Sequence, residues 1–339
     1  MQLNEIWFLI VGFLFIGYFV LDGFDFGVGM SLPFLGKDDT DRRVLINTIG
    51  PVWDLNETWV LVAGASLFAA FPEWYASLFS GFYLPLLIIL AALIARGVAF
   101  EYRGKGKTIG ANETRWKATF DWMIVVGSAL PALLWGVAFA NIVQGVPLNE
   151  SHVYTGNLFT LLNPYGLLGG LVTLTLFWTH GLMFIALKTE GDIKERAVKL
   201  GMKVGITTTL LAATFLVWTL VAHFSVLGFI LSALAAVSLI TGLVANYFER
   251  EGIAFSLLVV TIVTAVGSLF AALFPNVFPS TTNAAFSLTI ENASSSQYTL
   301  TVMTWVAAFM IPLVMLYQGW TYWVFRKRIS RKSIPVGSH

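Results

Sequence analysis

The chain has 339 residues, of which 57% are hydrophobic and 12% charged, with a formal net charge of +1 and four histidines but no cysteine. Ordinary globular domains carry about 25% charged residues, so this composition, at a mean hydropathy of +0.77, excludes a water-soluble fold and implies a polytopic membrane protein. Disulfides, iron–sulfur clusters and thiolate metal sites are excluded, and near-neutral charge gives no field to draw a nucleic acid; haem, quinone, lipid or an ion suits such a chain better.

A bilayer span takes about 20 mostly apolar residues. Nine stretches qualify, near 6–34, 55–72, 75–101, 117–144, 164–188, 201–221, 225–248, 253–273 and 300–325. The expected fold is an all-α polytopic membrane protein of about nine transmembrane helices, two four-helix bundles plus one peripheral helix. One integral membrane domain covers 1–334, with bundle one at about 1–145, bundle two at about 160–275 and the last helix at about 300–326. Met1 to Trp7 lacks the basic region of a cleavable signal peptide, so the first span is expected to be retained. Residues 335–339 read in part as a tail appended in cloning, and His339 is left out of site reasoning.

Basic residues set the orientation, because Lys and Arg accumulate on the cytoplasmic side. They follow the first span (Lys37, Arg42, Arg43), separate the third from the fourth (Arg103 to Lys117) and the fifth from the sixth (Lys188 to Lys203), and close the chain (Arg326 to Lys332). The alternate connections, around Pro72, 145–163, 222–224 and 274–299, contain no Lys or Arg. The expected topology therefore puts the N-terminus outside and the C-terminus in the cytoplasm. The polar segment 274–299 reads as an ordered cap on the outer face or on a partner.

The stretch from Tyr18 to Trp59 holds the concentrated chemistry. Asp22 and Asp25, spaced i, i+3, lie on one side of the first helix. Counting about 1.5 Å per residue from Ile6 puts Asp25 roughly 28 Å in, near the inner edge of the hydrocarbon. Ionised carboxylates there need a partner, a water-filled path or a proton. Either both are interfacial and paired with Arg42, Arg43 or Arg96, or Asp25, flanked by Phe24 and Phe26, carries a proton. Gly23, Gly27 and Gly29 let a neighbouring helix approach closely.

After a short charged loop, Pro51 marks a break and Asp54 and Glu57 fall in the first turns of the next helix, where the helix dipole alone favours acids. Asp54 gains a functional reading from standing opposite Asp25. Arg96, inside an apolar span, either snorkels to the interface or neutralises a carboxylate or an anionic cofactor group, with Asp121 as the expected partner. His180 lies mid-span without a second ligand at matching depth, so a hydrogen-bonded core histidine is preferred over a haem ligand. No metal-binding spacing or nucleotide fingerprint is present.

Several strings go beyond generic membrane composition: GFDFGVGM at 23–30, NTIGPVWDLNETW at 47–59, FSGFYLPL at 79–86, YTGNLFTLLNPYGLLGG at 154–170, FPNVFPSTTNAAFSLT at 274–289 and SSSQYTLTVMTWVA at 294–307. In content and order they resemble subunit II of the cytochrome bd-type quinol oxidases. The resemblance implies a terminal oxidase in the bacterial cell membrane that oxidises quinol and reduces oxygen to water. Two b-type haems and one d-type haem would sit in the partner subunit I, with none ligated by this chain. It further implies packing on subunit I, possible small accessory transmembrane subunits, contact with lipid and quinone, and no nucleic acid. Asp25 and Asp54 match the residues associated with proton uptake from the cytoplasm, with Glu57 and Asp22 as weaker candidates. Trp53 matches a position where some relatives hold a structural quinone.

The chain departs from enterobacterial members in compressing the sixth connection to Ala222-His223-Phe224, in Glu57 where some relatives have Gln, and in His180 where a Gln occurs. The rival readings are a stand-alone proton-coupled secondary transporter, for which inner carboxylates and broken helices are also typical, and a haem-ligating electron-transfer subunit using His180.

Overall fold

Without water to bond exposed peptide groups, a chain crossing a bilayer satisfies its backbone internally, and helices do so segment by segment. The computed structural model describes residues 2–334; the expected tail, 335–339, lies outside the described residues. Twelve α-helices run in order: α1 Leu3–Leu35, α2 Asp39–Ile49, α3 Trp53–Ala70, α4 Pro72–Gly81, α5 Tyr83–Tyr102, α6 Glu113–Gln144, α7 Leu158–Leu161, α8 Pro164–Lys188, α9 Asp192–Ala222, α10 Val226–Tyr247, α11 Glu251–Leu273 and α12 Gln297–Val324.

Eight of these are long and apolar enough to cross a membrane among the described residues. The ninth expected span is α3, only 18 residues long, whose opening turns carry Asp54, Asn56 and Glu57 and leave it short of the apolar length that a span needs. The expected span at 75–101 is two helices. Pro85 has no N–H and its ring clashes with the carbonyl four residues back, so α4 ends at Gly81 and α5 starts afresh. The connection after α1, expected as a loop, holds α2. Asp38 caps it by accepting from the Asp41 N–H at 2.9 Å, and Val44, Leu45 and Ile49 bury its apolar side.

The first helix is the common wall: α3, α6, α8 and α11 all pack on it, and α5 packs on α6. The helices α8, α9, α10 and α11 close a ring, each touching the next and α11 returning to α8. Along the seam, a Cβ on Gly27 would strike the Phe177 carbonyl and the Gly181 backbone, and one on Gly181 would strike Gly27. Two glycines thus let α1 and α8 meet backbone to backbone, the close approach expected from the glycine spacing. Helix α12 packs chiefly on α1 and α3, and among the described residues it buries just Leu300, Gln318 and Thr321.

At the end without basic residues, segment 274–299 is an ordered cap on its own chain. Two short strands, β1 Asn276–Phe278 and β2 Leu288–Thr289, pair antiparallel within it. It bonds to Asn4 through the Ile290 carbonyl (3.2 Å), to Ala70 through the Ser295 N–H (2.8 Å) and to Val146 through Pro279 and Thr281 (3.0 Å each).

The opposite, basic end is tied by ion pairs. Asp121 binds Arg42 (2.8 Å) and Arg103 (2.5 Å), while Asp39 binds Arg103 (2.9 Å) and Lys117 (3.0 Å). The segment after α12 folds back, with the Ile329 N–H on the Lys188 carbonyl at 2.8 Å and Arg331 on Asp38 (2.6 Å) and Asp41 (2.5 Å). The Asp41 N–H that Asp38 caps, with Arg331 behind it, holds the Asp38 carboxyl below its ordinary range.

Two outcomes follow from this packing. Gly27→Leu should separate α1 from α8 and lower stability by at least about 1–3 kcal/mol, read as an earlier thermal melt of the detergent-solubilised protein. A group with a depressed folded pKa stabilises at neutral pH and loses that contribution as pH falls through the folded value. The protection of 326–334 against hydrogen exchange, taken relative to the intrinsic rate at each pH, should therefore fall in acid below about pH 4, and Arg331→Ala should lower it already at neutral pH.

Candidate functional site

The i, i+3 spacing turns Asp22 and Asp25 about 60° apart on α1, and each meets a different helix. Asp22 faces α5, where Arg96 Nη2 donates to its Oδ1 at 2.7 Å. The same nitrogen donates to Glu57 Oε2 of α3 at 2.8 Å, and the guanidinium carbon lies 4.4 Å from the Phe26 ring centroid. Asp25 faces α3, where Asn56 Nδ2 donates to its Oδ2 at 2.8 Å. Asp22, Asp25 and Arg96 are fully buried, and Glu57 keeps 23% of its side chain exposed. An open apolar groove of about 520 Å³, lined by residues that include Leu61, Phe68, Leu90 and Trp135, reaches Glu57.

Arg96 does not snorkel, and Asp121 is not its partner. Gly127 is the α6 residue packed against Arg96, and Asp121, six residues earlier on α6, lies about 9 Å nearer the basic end, within reach of Arg103 and Arg42. Held between Asp22 and Glu57 beneath Phe26, the guanidinium has its counter-charges inside the protein and no reason to extend outward. Glu57, which the helix dipole alone would explain, is part of this cluster.

Asp54 is exposed at the start of α3, and Asn56, two residues on, is the α3 side chain that bonds Asp25. Trp53 is half-buried, its ring 5.1 Å from that of Phe100. His180 is fully buried, with Nε2 3.1 Å from the Val20 carbonyl and its ring stacked on Phe255 at 4.7 Å. Its Nδ1 is buried and makes no hydrogen bond to protein.

Sequence reasoning missed Asn56, Gln318 and Tyr322. Asn56 Oδ1 accepts from Gln318 Nε2 (2.9 Å) and from Tyr322 Oη (2.7 Å), both on α12. The available signal was Gln318, a lone amide in an apolar span, four residues from Tyr322 and hence on the same helix face.

Three carboxylates, Asp22, Asp25 and Glu57, thus gather around one guanidinium, with Asp22 Oδ2 and Asp25 Oδ1 buried and making no hydrogen bond to protein. Acidic groups in excess over cations, at depth, form an arrangement suited to holding and passing protons.

The family model described as cytochrome bd terminal oxidase subunit II matches residues 3–325, nearly the whole chain. The chain belongs to this family. Cytochrome bd ubiquinol oxidase subunit 2 of Bacillus subtilis (strain 168) is 41% identical over 336 residues, which cover 98% of both chains. Cytochrome bd-I ubiquinol oxidase subunit 2 of Escherichia coli (strain K12) is 37% identical, with 99% of this chain and 98% of that one aligned. The solved bd oxidase from Geobacillus thermodenitrificans superposes at a TM-score of 0.76 over 96% of this chain and all of that one, at 16% identity, and supports the fold alone. Family and apolar helices together make this a multi-pass bacterial membrane protein, and the stand-alone transporter reading is left without support.

In this subunit II chain, removing one member of the Arg96 cluster leaves a buried charge without its partner. Arg96→Leu should destabilise by about 3–5 kcal/mol. Replacing both Asp22 and Arg96 with Leu should cost less than the single change, a non-additivity that thermal melts of the four variants of a double-mutant cycle would display.

Proposed function

We propose that this chain is the non-haem-ligating subunit of a respiratory quinol:oxygen oxidoreductase, and that its own chemistry is to take protons from the cytoplasm and pass them toward the oxygen-reducing haem of a larger partner. Reduction of one dioxygen to two waters consumes four electrons and four protons; oxidation of two quinols supplies the electrons and releases its own four protons on the other side, so the four consumed are drawn from the cytoplasm. Two b-type haems and one d-type haem belong to the partner in this reading, and the membrane-embedded chain acts as one domain packed against it. Lipid, a structural quinone near Trp53 and small accessory subunits are further expected neighbours.

The observation that carries the reading is the cluster of Asp22, Asp25 and Glu57 around the single guanidinium of Arg96. The basic end, where α2 and the segment after α12 carry most of the ion pairs, is the cytoplasmic side on the charge rule, with both the N-terminus and the 274–299 cap outside. Asp54, exposed at the first turn of α3, takes a proton from water. Asp25, buried one helix away, receives it and hands it on. Asp22 and Glu57 act as secondary stations whose charge Arg96 balances.

Affinity purification of the chain from its native membrane, followed by a reduced-minus-oxidised spectrum, tests the assignment. Recovery of b- and d-type haem bands with one larger protein is the expected result, and a colourless chain purifying alone would overturn it. Within the intact oxidase, Asp25→Asn should lower oxygen consumption about a hundredfold, the lower end of what general acid–base groups contribute, with haem content unchanged. Haem loss in that variant would assign Asp25 a structural role instead.

A further inference from the structure

Helix α12 is nearly bare of buried residues, yet it carries Gln318 and Tyr322 into the α1–α3 junction. The hydrogen bonds there run in one forced direction. An indole N–H can only donate, and Trp59 Nε1 points at Gln318 Oε1 at 3.4 Å, which fixes that amide with its nitrogen toward Asn56. Gln318 Nε2 then donates to Asn56 Oδ1 at 2.9 Å, and Tyr322 Oη donates to the same oxygen at 2.7 Å. At the far end a backbone carbonyl can only accept. The Leu21 carbonyl lies 3.3 Å from Asn56 Nδ2, so the nitrogen must face α1 whatever the protonation of Asp25. Both ends of the chain select the same orientation of Asn56.

The consequence falls on Asp25. Its Oδ2 always meets the Asn56 N–H, at 2.8 Å, and an oxygen that faces a fixed donor is not the one that holds a proton. Its Oδ1 makes no hydrogen bond to protein and is buried. We propose that Trp59, Gln318, Tyr322 and Asn56 are positioning residues that lock the Asp25 carboxyl, making Oδ1 the atom that takes up and releases the proton. This rests on the proton-delivery reading above. Neither Gln318 nor Tyr322 need touch a proton: they act through Asn56, and α12 contributes to the reaction by orienting an amide on the adjacent helix α3.

The test uses the intact oxidase with Gln318→Leu, Tyr322→Phe and, as the reference, Asp25→Asn. Gln318→Leu removes the link to Trp59 and one of the two donors on Asn56 Oδ1, so the amide is held less tightly by Tyr322 and the Leu21 carbonyl alone. Turnover at saturating quinol should fall about threefold to tenfold, the range a single hydrogen bond allows, while the solvent isotope effect in D₂O rises because protonation has become limiting. Quinol KM and haem content should stay unchanged. Tyr322→Phe, which leaves the Gln318 bond in place, should show the same signature at smaller amplitude and keeps the test open should Gln318→Leu fail to assemble. If Asp25→Asn is slow but both α12 variants keep normal turnover and a normal isotope effect, the positioning proposal is wrong and proton delivery stands. Full turnover in Asp25→Asn removes both.

Discussion

Everything at the centre of this subunit depends on one guanidinium that does not reach water. Arg96 draws a carboxylate from α1 and another from α3 onto α5, so three helices are joined by charge at that level. A buried ion pair is a poor source of net stability, because the desolvation of its members offsets most of the attraction. Its value is geometric: with Asp22, Glu57 and Phe26 converging on Arg96, α3 and α5 cannot rotate about α1 without leaving a charge alone at depth. The close Gly27–Gly181 contact does the same on the other side of α1, by shape. The first helix is held on one flank electrostatically and on the other by van der Waals fit, and both carboxylates on it inherit that fixed placement.

The class of fold is legible in the sequence because bilayer thickness sets a length that apolar runs must meet. Eight of the nine expected spans each fall on a single helix, and the discrepancies have local causes. Pro85 splits one span through its missing N–H. The acids and amide of α3 dilute its hydropathy. Helix α2 escaped because its apolar residues Val44, Leu45 and Ile49 are few among charges, although the cap at Asp38 announces it. The glycine-mediated approach was readable because small residues four apart have few other uses in a span.

The site was legible only in its acids. Asp22, Asp25, Asp54 and Glu57 stand out from apolar neighbours by type, but which cation meets which acid depends on the axial register of antiparallel helices, and that register is not written in local sequence. An offset of six residues along α6 decides that Asp121 serves Arg103 and Arg42 while Arg96 is left to Asp22 and Glu57. The amide relay was invisible for a related reason: Asn56 and Gln318 are 262 residues apart. Polar residues of ordinary helix propensity become informative only when the fold places them together.

The sparse burial of α12 has a consequence for how the subunit responds to its solvent. At its start the helix is fastened by the Trp7 indole, which donates to the Leu300 carbonyl and the Thr304 hydroxyl, and near its end by Lys188, which donates to the Phe325 and Lys327 carbonyls, with the amide junction between. Such bonds gain strength where water is scarce and lose it where water competes. A helix secured mainly by apolar interlock is indifferent to moderate hydration of its surroundings; α12 is not. Dry surroundings therefore act as a clamp on α12, and a thin or water-permeable micelle should loosen this helix and with it the orientation of Asn56.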